Sequence, residues 1–291
     1  MSDAEPAATK TAGERIHARV YYRHTWPVRV MHWINVVAFF VLLASGLQIF
    51  NAHPSLDWGK SSYTGRPPLL DISARENEAG APVGVTTVFG HEFDTTGVLG
   101  ISRGADGNPV ERAFPSWATL PGPQWLSMAR SWHFFAAWIL VLNGLAYLVY
   151  GVATRHFRRS IIPNAADTKT IGRSLKDHLL FRHPKGEAAT RYNVLQKITY
   201  VAVIFLLLPA IVLMGWAMSP WIDSLLPGWV DLVGGRQSAR TLHFVVAFVL
   251  LAFVFVHVFE VVATGLWNNL RSMITGRYVV PPEKPDERSA R

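Results

Sequence analysis

The sequence predicts an all-α integral membrane protein: a four-helix transmembrane bundle with a long loop between its first and second helices. Three observations predict it. Half of the 291 residues are hydrophobic and only 16% are charged, which is too apolar for an ordinary soluble domain. The apolar residues gather in four runs, at about 30–50, 132–152, 195–218 and 241–267, each long enough to cross a bilayer. The cationic residues concentrate in alternate connections. Lys10, Arg15, Arg19, Arg23 and Arg29 precede the first run, and a basic stretch from Arg155 to Arg191 joins the second to the third. Arg271, Arg277, Lys284, Arg288 and Arg291 follow the fourth run, whereas the connection before it carries only Arg236 and Arg240.

The positive-inside rule then places both termini and the 153–194 loop in the cytoplasm, with the chain crossing the membrane several times. This asymmetry accounts for the net charge of +8, and no nucleic-acid partner is needed to explain it. The chain has no cysteine, which excludes disulfides, cysteine-ligated clusters and thioether-attached haem. Any cofactor is left to His, Met or packing.

Taken in order, residues 1–20 are small, charged and aperiodic, and are expected to be a disordered cytoplasmic N-terminus. They do not read as a signal peptide, since the first apolar run has no cleavage site and is long enough to span. The four-helix domain is expected over 21–275, opened by the interfacial stretch YYRHTWPVRVMHW. The 51–129 connection is too long for a simple link and is expected to be functional and periplasmic. Within it, 83–89 and 98–101, with a turn at 104–108, suggest a small β element, and 123–130 a short interfacial helix. In the cytoplasmic loop, Ile171, Leu175 and Leu179 recur at four-residue spacing and suggest a helix lying on the membrane. Pro209 is expected to kink the third span. Residues 219–240 are a second periplasmic connection, and 276–291 a disordered cytoplasmic tail.

Of eleven histidines, four lie inside the apolar runs: His32, His133, His243 and His257. Depth sorts them into two pairs. His32 and His257 fall in the cytoplasmic half, His133 and His243 in the periplasmic half. His243 and His257 are 14 positions apart, so both rings leave one helix face, roughly 21 Å apart along the axis. Two six-coordinate b-type haems need four axial ligands, and imidazole supplies them well. Polar groups at such depth are costly and usually functional. A lone intramembrane histidine more often bonds a neighbouring helix, but matched pairs at two depths point to cofactors.

Other residues fit that arrangement. Arg29, Arg130 and Arg240 each precede a candidate ligand by three positions, one turn toward water, where haem propionates need charge-assisted partners. Snorkelling at helix ends is the plainer reading of Arg29. Gly46 and Gly144 follow His32 and His133 by 14 and 11 positions on the same helix faces. Each is a candidate notch for the opposite haem's ring, with small-residue helix packing as the alternative. Tyr192, Asn193, Gln196, Lys197, Asn268 and Asn269 sit near the cytoplasmic face as candidate quinone contacts, or simply as interfacial caps.

The stretch YYRHTWPVRVMHWINVVAFFVLLASGLQIF, a histidine opening the second run and H-x13-H in the fourth resemble the bacterial cytochrome b561/nickel-hydrogenase type of di-haem cytochrome b. That group includes membrane subunits of respiratory formate dehydrogenase and nickel–iron hydrogenase. SGLQIFNAHP resembles its thiosulfate reductase cytochrome b branch. The resemblance covers roughly 20–275 and implies four haem ligands on spans one, two and four, mapping to His32, His133, His243 and His257, with none on span three. It also implies electron transfer between membrane quinone and a periplasmic redox subunit, with a molybdenum-cofactor oxidoreductase as the natural guess. Such a subunit would dock on 51–129 and 219–240. The long first loop departs from what the hydrogenase and formate dehydrogenase subunits lead one to expect. Two other classes stay open: a self-contained oxidoreductase passing electrons from a small donor such as superoxide to quinone, and a non-redox metal transporter lined by histidines.

Overall fold

The computed structural model describes residues 18–63, 65–104, 106–180 and 192–280. The expected disordered ends fall mostly outside these residues. Four helices are long and apolar enough to cross a membrane: Trp26–Phe50, Leu126–Ala153, Val194–Ala217 and Arg236–Ala263, here the first to fourth spans. Their outward faces carry large apolar side chains such as Val37, Phe40, Leu142, Val149 and Phe255, all more than half exposed, as a lipid-facing surface requires. The described residues thus form a helical membrane protein.

Small and polar residues draw the helices together. Ala38 and Ala136 are 3% and 2% exposed where the first two spans meet. Toward the N-terminal end of the first span, Asn143 donates to the Met31 carbonyl at 2.8 Å and to Asn35 Oδ1 at 2.7 Å. In hydrocarbon such groups must find partners across the helix pair. The third span carries a π-helical turn, Val203–Leu207, directly before Leu208-Pro209. Pro209 lacks an amide hydrogen and its ring crowds the carbonyl four residues back, so the widened turn absorbs the expected kink.

The fourth span differs from the expected 241–267. It begins at Arg236 and ends at Ala263. Gly265, at φ 112°, turns the chain into a separate helix, Leu266–Thr275. Gly276 then adopts φ 82° beside Tyr22, where a β-carbon would come 2.5 Å from the ring, and the chain enters a final strand. That strand, Arg277–Val280, pairs antiparallel with Arg19–Tyr22, so order extends past both expected domain limits. Backbone pairing satisfies groups that a polar tail would have left to water. Both ends of the described chain therefore meet on one face, here the termini face.

On the other face, the 51–125 connection folds as a small β-domain. Strands Ser55–Leu56, Leu70–Glu76, Pro82–Val88 and His91–Asp94 form one antiparallel sheet in sequence order. Gly100–Arg103 and Pro109–Arg112 form a hairpin around the expected turn. The expected short helix at 123–130 is instead the first turn of the second span, which starts at Leu126. Phe50, Leu56, Ile72, Ala113 and Phe114 make a core that Leu47 and Phe244 join from the first and fourth spans. Asn51 pairs twice with the Phe114 backbone, at 2.7 and 3.2 Å. Thr241 donates to the Asp57 carbonyl at 2.6 Å, and the Gly59 amide to Ser238 Oγ at 2.8 Å. The domain is thus fastened to the helices that carry the site.

Candidate functional site

A cavity of about 2250 Å³ runs through the bundle, lined by all four spans. It is larger than two drug-sized sites of up to about 1,000 Å³ each. His32 and His257 line its termini-face end and His133 and His243 its β-domain end. The rings pair across helices as their depth suggests. His32 and His257 have centroids 6.4 Å apart, and His133 and His243 6.2 Å apart. Two imidazoles sharing one metal atom through bonds of about 2.0 Å have centroids about 6.3 Å apart. Both pairs therefore have the separation of bis-histidine ligation.

The β-domain-side pair is the more tightly held. His243 Nδ1 lies 2.9 Å from the Ile211 carbonyl and must donate to it, which leaves Nε2 free as a ligand. His133 Nδ1 lies 3.1 Å from Ser45 Oγ. Ser45, fully buried, gives its own hydrogen to the Val41 carbonyl at 2.6 Å, so it accepts from His133. Two glycines let these rings approach. A β-carbon on Gly46 would sit 3.4 Å from His133 Cε1, and one on Gly215 3.4 Å from His243 Cε1. At the other end, His32 Nδ1 is buried with no hydrogen-bond partner, and His257 stacks on Phe253 at 5.7 Å.

The cationic candidates divide. Arg130 and Arg240 line the cavity, Arg130 over the Phe134 ring and Arg240 over Phe50, with Arg240 also donating to the His53 carbonyl. Arg29 does not line it. Its Nη1 donates to the Ile274 carbonyl at 2.8 Å, and it faces an outer groove. The reason is rotational. Spacing of three leaves it about 60° round the helix from His32. That side of the helix also carries Trp26 and Trp33, which line the outer groove. Arg23, which the spacing argument missed, takes that end of the cavity, bonded to Asn269 Oδ1 at 3.2 Å and set over Tyr278. Gly144 is not among the lining residues, and a β-carbon there would meet nothing within 4 Å.

Of the candidate quinone contacts, Tyr192, Asn193, Gln196 and Asn269 line the termini-face end. Asn193 and Gln196 also cap the third span reciprocally, at 2.8 and 3.1 Å. Lys197 is committed to Asp167 at 2.7 Å, and Asn268 to the Val279 backbone. His24, unnoticed in the sequence, is 8% exposed and 3.4 Å from the Tyr192 hydroxyl. Burial and the neighbouring Arg23 push its pKa down to about 3, so it stays neutral. Gly215 had a legible signal: it has the same depth in the third span as Gly46 in the first.

Among the described residues no three His, Cys, Asp or Glu side chains cluster to hold a metal ion. Paired imidazoles at two depths in an apolar cavity suit flat redox cofactors, each ligated from both faces.

The family model described as prokaryotic cytochrome b561 matches residues 23–276. The chain is also 27% identical over 239 residues to a protein of Azospira oryzae provisionally named protein-methionine-sulfoxide reductase subunit YedZ1, covering 82% of this chain and 89% of that one. No solved structure matches the chain.

Proposed function

The chain belongs to the prokaryotic cytochrome b561 family of haem-b membrane electron-transfer proteins, and on that premise we propose that it holds two haem b groups and carries electrons between membrane quinone and a periplasmic oxidoreductase. The observation that carries this is the pair of cross-helix histidine couples at 6.2 and 6.4 Å in one cavity.

When bound, the two haems would supply one-electron redox chemistry at two depths of the bilayer. The chain's residues do the rest. His32 and His257 ligate one haem, His133 and His243 the other. Arg130 and Arg240 hold propionates at the β-domain end, and Arg23 replaces Arg29 in that role at the termini face. Gly46 and Gly215 admit the ligand rings. Gly144, which does not line the cavity, is given no notch role. The apolar walls exclude water from the path between the pairs.

The distribution of Lys and Arg supports a cytoplasmic termini face in an inner membrane. Quinone then meets the cavity where Tyr192, Gln196 and Asn269 line it, and a respiratory partner docks on the β-domain and the 219–235 connection. The name of the Azospira oryzae relative supports an oxidoreductase as that partner, and a molybdenum-cofactor type remains the class proposed. The absence of any three-residue metal cluster among the described residues weighs against the transporter reading.

The test is haem b per polypeptide on the purified chain, by pyridine haemochrome. Two per chain is expected, falling to one in His133→Ala or His243→Ala, and to the complementary one in His32→Ala or His257→Ala. Two haems lost from one substitution, or none bound at all with ample haem supply, would overturn the paired assignment.

A further inference from the structure

Arg29 leaves a question that the electron-transfer reading does not absorb. It lies in an outer groove of about 710 Å³ between the first and second spans. Val30, Ile34, Val37, Val41, Phe135 and Ile139 make the apolar walls, and Ala38 and Ala136, nearly fully buried, form the floor. Trp26 and Trp33 flank the mouth at the termini face, where Met273 and Ile274 close one side. Arg29 spends one N–H on the Ile274 carbonyl, while its Nε is buried with no hydrogen-bond partner. No Asp or Glu lines the groove among the described residues.

We propose that this groove binds one anionic phospholipid, with its phosphate at Arg29 and an acyl chain lying along the seam toward Val41. Length supports this occupant. Arg29 and Val41 are twelve residues apart, or about 18 Å along the helix. One leaflet of hydrocarbon is about 15 Å deep. Charge supports an anion, since the guanidinium stands at headgroup level with no acid lining the groove beside it. The flanking indoles belong at the same level. The Ala38–Ala136 contact keeps the floor open by placing no side chain beyond a methyl there.

The test uses the full chain, purified and delipidated, then incubated with equal amounts of phosphatidylglycerol and phosphatidylcholine of identical acyl chains. Native mass spectrometry counts the retained adducts. Phosphatidylglycerol is expected to exceed phosphatidylcholine about fivefold or more. Arg29→Gln is expected to bring the two level. Val37→Trp, a change at an exposed wall position, is expected to lower both by filling the groove. Haem content should stay unchanged in both variants. Equal retention in the unaltered chain, or an unchanged preference in Arg29→Gln, would overturn the proposal. So would Arg29→Gln releasing quinone rather than phospholipid. Loss of haem in Arg29→Gln would return this side chain to the inner cavity and overturn it as well.

Discussion

Gly46 of the first span and His133 of the second meet so closely that a β-carbon on the glycine would stand 3.4 Å from Cε1 of the imidazole. Gly215 and His243 repeat the relationship on the other two spans, also at 3.4 Å. A β-carbon at this distance is tight yet tolerable, whereas a longer side chain must displace the ring. Gly46→Ala and Gly215→Ala should therefore keep full haem content. Gly46→Leu or Gly215→Leu should halve it, and the haem lost should be the one that His133→Ala also loses. Full occupancy in both leucine variants would mean that the glycines serve helix packing alone.

Ser45 predicts a change in electrochemistry. Its hydroxyl accepts from His133 and donates to the Val41 carbonyl, a relay that raises the basicity of the ligand nitrogen and favours oxidised iron. Ser45→Ala should raise the midpoint potential of one haem and leave the other in place, with haem affinity weakened about 10–100-fold. Ser45→Thr should restore the unaltered potential. Redox titration followed by visible absorbance reads both. An unmoved pair of potentials in Ser45→Ala would show that the relay does not reach the metal.

These two sites mark where the sequence was legible and where it was not. Length and hydropathy give the four spans, and depth alone gives the histidine pairs, because a helix converts residue number into height. Helix rotation is harder. Arg29, Arg130 and Arg240 share one spacing, yet only Arg130 and Arg240 face the cavity, since each helix's inward direction is set by its neighbours. The end of the fourth span was overrun because Thr264-Gly265 interrupts an apolar run without a charge to announce it. The strand Arg277–Val280 was invisible because its partner, Arg19–Tyr22, lies at the far end of the chain. Ser45 carries no motif, and only its contacts reveal it; Gly215 was legible only as a depth match to Gly46, and its contact with His243 gives that match a meaning.

Arg112 is expected to hold the β-domain to the bundle. It is 7% exposed and donates to the Phe114 and Gly122 carbonyls at 2.7 and 2.9 Å, to Gln48 Oε1 at 3.0 Å and to Thr119 Oγ1 at 2.9 Å. Gln48 belongs to the first span, so the guanidinium joins loop to helix. Removing it strands several buried acceptors, at a cost on the order of 3 kcal/mol. Arg112→Ala should raise the rate of proteolysis within 51–125 about 100-fold, with both haems retained. Arg112→Lys should recover little, since an ammonium cannot reproduce the planar fork. Wild-type protease resistance in Arg112→Ala would remove this role.

Lys197 gives a last prediction, and it runs against the candidate quinone role. Its ammonium lies 2.7 Å from Asp167, whose carboxylate also accepts from the Asn164 amide at 2.8 Å. The two side chains are only 12% and 21% exposed. The Asn164 amide first, and Lys197 after it, hold the Asp167 pKa below its ordinary value. A depressed folded pKa contributes stability that is complete above the ordinary carboxylate range and is lost as pH falls through the folded value. The turn at 164–168 should therefore stay fastened to the third span at neutral and mildly acid pH, and loosen only below the usual carboxylate range. Asp167→Ala should loosen it already at neutral pH, read as faster cleavage within 157–180. Lys197→Met should do the same while leaving the rate of haem reduction by quinol unchanged. A slowed reduction at unchanged haem content would instead place the ammonium at the quinone.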